Sequence, residues 1–284
     1  MRRLLAAFAL VLLTSGCSAA QLRNVGMGIG DFTTTWTIGS CHRLDQLEQT
    51  DPMFPSDTSP AVPCDSPHES ETYAVVPITG AVAAQRERPS PLWLQQALKD
   101  ACGWDAMVGY LGGQPVDALR NVGILQIAPS EPEWARGVRT VRCDVLIGPR
   151  DSAGVASVAR PLHEILAASA GDRFRVCRVD GQETGCDQPH DAELINVWMK
   201  FHIGKPTKST KAQQTATLLA FCRPSAVRYL GVPLAARPKV SIIPGLPQQA
   251  PSPNSTVLGQ CWLGDTSHGR LWVGSLRSGV RRLP

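Results

Sequence analysis

One eight-residue stretch occurs twice, as Cys64-Asp65-Ser66-Pro67-His68-Glu69-Ser70-Glu71 and again as Cys186-Asp187-Gln188-Pro189-His190-Asp191-Ala192-Glu193. Five of the eight positions are identical and a sixth exchanges one carboxylate for another, agreement that chance rarely gives in residue types as scarce as Cys, Pro and His. Matches continue outward from this anchor. Cys102 answers to Cys222, Tyr110-Leu111-Gly112 to Tyr229-Leu230-Gly231, Cys143 to Cys261 and Ser157 to Ser275, while the offset drifts only from 122 to 118. The pattern reads as a tandem repeat, so fold and function are sought in a unit present twice.

With 284 residues the chain has room for two units, each with its own core. A charged content of 18% against 43% apolar residues excludes a disordered chain and a membrane bundle. Residues 1–16 read as a signal peptide: Arg2 and Arg3, an apolar run over residues 4–13, then Thr14-Ser15-Gly16 before Cys17. Ten apolar residues are too few to span a bilayer. The ending resembles a bacterial lipobox, with Thr14 where leucine is commoner, which makes Cys17 the expected site of lipidation and residues 17–33 a flexible tether. Removal of the two arginines lowers the net charge from +4 to +2, too mild to argue for nucleic acid. The expected location is the extracytoplasmic face of the cell membrane, held by the lipid.

The other eight cysteines fall four to each half: Cys41, Cys64, Cys102, Cys143, then Cys177, Cys186, Cys222, Cys261. An exported chain meets an oxidising compartment, so an even set reads as disulfides, and no Cys-x-x-Cys occurs to suggest a zinc ribbon or a thioredoxin motif. Four cysteines allow three connectivities. We favour first to second and third to fourth: Cys41–Cys64, Cys102–Cys143, Cys177–Cys186 and Cys222–Cys261. Cys177 and Cys186 flank Asp180-Gly181, a dipeptide that closes tight hairpins.

Along the chain, residues 34–41 are a threonine-rich strand candidate and residues 47–63 a polar, proline-containing loop. Residues 72–76 read as a strand. Ser90-Pro91 opens a helix that carries Leu94, Ala97, Leu98, Ala101 and Cys102 at helical spacing. Residues 122–127 read as a strand and Pro129-Ser130-Glu131-Pro132 as a turn; Val141, Cys143, Val145 and Ile147 alternate, which sets Cys143 on the apolar side of a strand. Residues 149–170 hold an alanine-rich, partly helical join. Beyond it, Ile195, Val197, Met199 and Phe201 alternate in a second strand, residues 210–222 read as the equivalent helix, the proline-rich stretch 233–253 as an inserted loop, and residues 271–276 as a strand closing the sheet. The expected fold is α+β: two tandem disulfide-stapled units, residues 34–158 and 171–284 with a linker at 159–170, each a small antiparallel sheet covered by one main helix.

The cysteine quartet, the Cys-x-x-Pro-His turn and Trp134-Ala135-Arg136-Gly137-Val138-Arg139-Thr140-Val141-Arg142-Cys143 together resemble the septum-formation-related domain of actinobacterial envelope proteins. The resemblance runs over residues 39–157 and more weakly over 171–275. Gly39-Ser40-Cys41 stands where the family has Gly-Asp-Cys, and the second unit lacks the Trp-x-x-Gly-x-Arg run. The resemblance implies a secreted or membrane-attached domain associated with cell division. It supplies no reaction and no catalytic residues.

For chemistry, the clustered ionisable groups are His68 with Asp65, Glu69 and Glu71, and His190 with Asp187, Asp191 and Glu193, with Pro67 or Pro189 holding the chain before each histidine extended. Such groups can hold a divalent metal or ligand. The alternative is structural, with the imidazole bonded to backbone and the acids facing water. One histidine per turn argues for the second, so no metal, cofactor or catalytic residue is expected. No nucleophile motif is present, and of the seven tryptophans only Trp93, on a polar helix flank, invites a surface role. The reading is a non-enzymatic envelope lipoprotein that binds or scaffolds an envelope or divisome protein. The alternative is an extracytoplasmic metal- or ligand-binding sensor built on the two turns.

Overall fold

A computed structural model describes residues 36–45, 47, 55–148, 156–203, 211–245, 255–265, 271–277 and 281–282. The expected signal peptide, lipidation at Cys17 and tether fall outside the described residues. The first half runs β1 (Cys41–His42), β2 (Ser70–Pro77), α1 (Gly80–Ala83), α2 (Pro91–Leu98), α3 (Trp104–Tyr110), β3 (Val122–Ile127), α4 (Glu131–Ala135) and β4 (Thr140–Ile147), with an antiparallel sheet in the order β1-β2-β4-β3. In the second half, β5 (Val176–Val179), β6 (Gln182–Gly185), β7 (Ala192–Ile203), α5 (Lys211–Leu230), β8 (Val240–Gly245) and β9 (Ser255–Asp265) build the sheet β6-β5-β7-β9-β8. A separate pair joins β10 (Trp272–Val273) to β11 (Arg281–Arg282).

Pairing registers show that the two sheets share one plan. Cys41 faces Glu71 across β1 and β2, and Cys177 faces Glu193 across β5 and β7. Glu71 pairs with Val145 and Glu193 with Leu263; each central strand then bulges, after Thr72 in one and after Ile195 in the other. Ile124 pairs with Val145 as Ile242 does with Leu263. The turn at Asp180-Gly181, with φ of 50° and 79°, joins β5 to β6 through the two left-handed residues that a tight hairpin requires.

Burial follows the sequence pattern where strands alternate. Val141, Cys143, Val145 and Ile147 of β4 are buried, and the first core adds Leu94, Leu98, Met107, Leu111 and Trp134. The Trp-x-x-Gly-x-Arg run has a local cause. Trp134 donates its indole N–H to Gln85 O at 3.0 Å, Gly137 turns the chain at φ 93°, and Arg139 then lies 3.7 Å over the Trp134 ring. In α5, Leu218, Cys222, Ala226 and Tyr229 form a buried stripe at helical spacing over Ile195, Cys261 and Leu263.

Several local expectations are corrected. Among the described residues of the threonine-rich stretch, 36–41, strand begins at Cys41, because Ser40 N–H closes a turn onto Thr37 O at 3.1 Å. The first-half helix is two helices: α2 stops at Leu98, and Cys102 lies in the break before Gly103, the N-cap of α3. Glycine costs about 1 kcal/mol relative to alanine inside a helix and so favours a break there. Pro91 takes the first helical turn, but the Ser90 side chain makes no cap bond. Residues after Pro129 form α4, capped reciprocally by Ser130 and Glu133. The equivalent helix in the second half runs on to Leu230. Part of the proline-rich stretch is strand β8, whose Pro244 is tolerated because β8 is at the sheet edge. Trp272–Val273 pairs with β11 rather than joining the five-stranded sheet. The join between halves holds two 3-10 turns, Ile165–Ala167 and Ser169–Phe174.

The halves also interlock within one compact unit, Thr35–Pro284. Asp117 bridges to Ile195 and Leu119 to Arg175, so a first-half connector enters the second sheet, and Val116 joins the second core. In return Phe174, at the start of the second half, joins the first core.

Candidate functional site

Four disulfides join Cys41 to Cys64, Cys102 to Cys143, Cys177 to Cys186 and Cys222 to Cys261. In each half one bond ties the first strand to the repeated turn, and the other ties the helical segment to the strand beneath it. Loops closed this way contribute about 2–4 kcal/mol each, chiefly by restricting the unfolded chain.

Beside the first bond of each half sits the repeated histidine. His68 Nδ1–H donates to Ser66 O at 2.8 Å and His190 Nδ1–H to Gln188 O at 2.6 Å. Both side chains are buried, and both backbones bridge to a later segment, His68 to Val158 and His190 to Trp272. The Trp272 ring also meets the His190 ring edge-on at 4.9 Å. Burial first of all holds the His190 imidazole below its ordinary value, which keeps it neutral.

The last residue of the motif is the most heavily engaged. Glu71 accepts from the Tyr110 hydroxyl, from Leu162 N–H at 2.6 Å and from His163 N–H at 3.1 Å. Glu193 accepts from the Tyr229 and Ser275 hydroxyls and from Leu276 N–H at 2.8 Å. Both carboxylates are buried. For Glu193 burial raises the pKa, opposed by the bonds from Ser275, Tyr229 and Leu276 and by the Arg175 charge. Burial also raises the pKa of Tyr110 and of Tyr229, with the neighbouring carboxylate adding to it, so both phenols stay donors. Each glutamate thus clamps helix end, central strand and a returning segment together. Gly112 and Gly231, at φ 77° and 67°, end the helices just after the clamping Tyr-Leu pair.

The remaining motif residues face outward. Asp65, Pro67, Asp187 and Pro189 are exposed. Glu69 is half-buried and accepts from Leu44 N–H at 3.1 Å, while Asp191 lies 4.0 Å from Arg178. The acids therefore do not converge on the imidazoles. Groups close enough to share an ion are Cys41, His68 and Glu71, and Cys177, Cys186 and His190. Their sulfurs are spent in disulfides, and zinc binds thiolate, so these donor sets fit no metal in the oxidised protein.

The sequence alignment paired Ser157 with Ser275, and geometry corrects it. Val158 and Trp272 occupy matching positions against the histidines, as do Leu162 and Leu276 against the glutamates, so Pro161 stands where the second half has Ser275. Ser157 is exposed. The partners of the two glutamates escaped sequence reading, although the repeated Tyr-Leu-Gly was the signal for one of them.

A buried ionic network in the first half was also not foreseen. Arg142 reaches Asp57 at 2.6 Å and Asp144 at 3.0 Å, and Ser70 and Thr72 both donate to Asp144 at 2.9 Å. His42 borders this network, its pKa lowered by burial and then by the Arg142 charge. In the second half Arg175 lies 3.6 Å from Asp117 and 3.5 Å from Asp172, and Arg277 also binds Asp117.

Among the described residues, no helix is long and apolar enough to cross a membrane. No curated protein and no solved structure matches the chain. The family called septum formation matches residues 38–250, one stretch that takes in the first sheet and the second as far as β8. With well over half of its length matched, the chain belongs to the septum formation family.

Proposed function

We propose that this chain is a non-enzymatic envelope lipoprotein, anchored through Cys17 at the extracytoplasmic face of the membrane, that binds or scaffolds an envelope protein during septum formation. Family membership supports the link to septation. The observation that carries the rest is how the repeated ionisable groups are used. Glu71 and Glu193 each hold three donors, and both histidines are buried against a disulfide. Groups committed in this way fasten the fold and leave no poised acid, base or nucleophile in either turn. The four disulfides favour an oxidising compartment, in keeping with export.

Deletion of the gene is expected to disturb septum placement or completion, with wild-type protein restoring it and Cys17→Ser restoring it poorly because the protein is no longer held at the membrane. A deletion strain that divides normally, together with purified protein that captures no envelope partner, contradicts the proposal. Fractionation of the Cys17→Ser variant tests the anchor separately: unchanged membrane retention rules out lipid attachment at this residue.

A further inference from the structure

A cavity of about 230 Å³ opens in the second half, lined by Ala236, Pro238, Val240, Asp265, Trp272 and Leu276, with Arg237 and Lys239 at its rim. The shared sheet register identifies what occupies the same place in the first half. Val240 corresponds to Val122, because each begins the edge strand and pairs with the matching end of its neighbour, Asp265 and Ile147. Trp272 and Leu276 correspond to Val158 and Leu162, as shown by the histidine and glutamate contacts. All four first-half residues belong to one core cluster, and Phe174 of the second half is part of that cluster, 2% exposed. Arg120 N–H, at the position of Pro238, donates to Phe174 O at 2.8 Å. In the first half, then, the chain leaving the 3-10 turn at Phe174 runs alongside residues 118–120 and adds an aromatic side chain to this core. In the second half the matching place is the cavity.

We propose that the cavity is a docking site for an extended segment of a partner protein that inserts a phenylalanine-type side chain, as Phe174 does in the first half. The charge around it sets a second requirement. Arg175, next to Phe174, faces Asp117, whose second-half counterpart is Ala235, while Leu119 and Asn121 are replaced by Arg237 and Lys239. The flanking residue on the partner is therefore acidic where the internal segment carries arginine. Pro238 has no N–H to repeat the Arg120 bond, so the side chain rather than strand pairing is the main anchor. A second copy of this chain is a poor donor. Its residues matching Phe174–Val176 are Ile38-Gly39-Ser40, which are held in a turn by Ser40 N–H to Thr37 O and tied to Thr72 by Gly39 N–H.

This site deepens the binding role proposed above and rests on it, yet it fails separately: a division phenotype without peptide binding removes the pocket and leaves the role standing. The test uses a labelled peptide, Ser-Glu-Phe-Glu-Val with blocked ends, titrated by fluorescence anisotropy into the purified mature chain. Saturable binding is expected, weakened roughly tenfold to a hundredfold by replacing the peptide phenylalanine with alanine. Replacing both glutamates with lysine weakens it further. Ala236→Trp, at an exposed position on the rim, is expected to abolish binding while the unfolding midpoint stays unchanged; Ala235→Trp, also exposed and outside the lining, serves as control. Absence of binding, equal affinity for the alanine peptide, or full binding by Ala236→Trp overturns the proposal. So does concentration-dependent self-association that Ala236→Trp removes, since the occupant is then a second copy.

Discussion

The two halves share the disulfides, the buried histidine, the glutamate clamp and the order of strands, and they differ in almost everything else that carries charge. On the central pair of strands the first half places Arg142 and Asp144, buried and joined to Asp57, where the second has Gln260 and Trp262. The second half keeps its buried arginine, Arg175, at the seam between halves, matched with Asp117 from the first. The first-half helical segment is interrupted between Leu98 and Trp104, while its counterpart runs twenty residues without a break. What both halves hold in common is thus a covalent and hydrogen-bonded frame, and what varies is the interior charge and the outer connectors. A motif kept for binding a ligand would place its polar groups toward a shared opening. Here the histidines and the last glutamates turn inward, to backbone groups and buried hydroxyls, and the other acids face outward apart from them.

The comparison is tested most severely by Arg142→Ala, which strands Asp57 and Asp144 in the first core. A loss of about 3–5 kcal/mol is expected in equilibrium unfolding, and replacing the matching Gln260 with alanine is expected to cost far less. Next in size is removal of a disulfide. Replacing Cys222 and Cys261 with alanine opens a loop of 39 residues and Cys177 with Cys186 one of 9, so the first pair is expected to cost about 1 kcal/mol more. Differential calorimetry of the two double variants checks the order. Tyr229→Phe and Tyr110→Phe each take one donor from a buried glutamate, at an expected cost of about 1–3 kcal/mol. The effect is expected to be larger for Tyr229, which is fully buried where Tyr110 is half-buried. Little change in either variant separates the clamps from stability.

The smallest expected effect is on pH dependence. Burial lowers the folded-state pKa of His190, so the unfolded chain binds the proton more readily. The stability it contributes is full above the ordinary value of 6.5 and is lost as the pH falls through the lowered folded-state value. His190→Gln is expected to flatten that part of the stability profile, and His42→Gln to do so by way of its own lowered value. Urea titrations between pH 7 and 5 measure both; an unchanged slope for both variants contradicts the burial argument.

Much of the frame was legible in the sequence because the repeat could be read twice. The alternation around Cys143 placed a strand, the Asp180-Gly181 dipeptide placed a hairpin, and the paired cysteines placed the staples. Errors came where local chemistry and tertiary context compete. Proline suggested a loop at 233–253, yet Pro244 sits on an edge strand, where its missing N–H costs no ladder bond. Helical periodicity ran through Cys102, yet α2 stops at Leu98 and a new helix starts after Gly103. The site was half visible: its histidines and acids stood out, but their partners Leu162, Leu276 and Ser275 are distant in sequence, and only folding brings them together.

The central claim is that the duplicated turn fastens the fold instead of holding a ligand, and equilibrium unfolding of Glu71→Gln and Glu193→Gln beside zinc calorimetry of the oxidised wild type tests it most directly. The account expects each substitution to lower stability by about 1–3 kcal/mol, with no heat of zinc binding to the wild-type protein. Unaltered unfolding midpoints in both variants, with a zinc-binding heat that His68→Gln or His190→Gln abolishes, would contradict it.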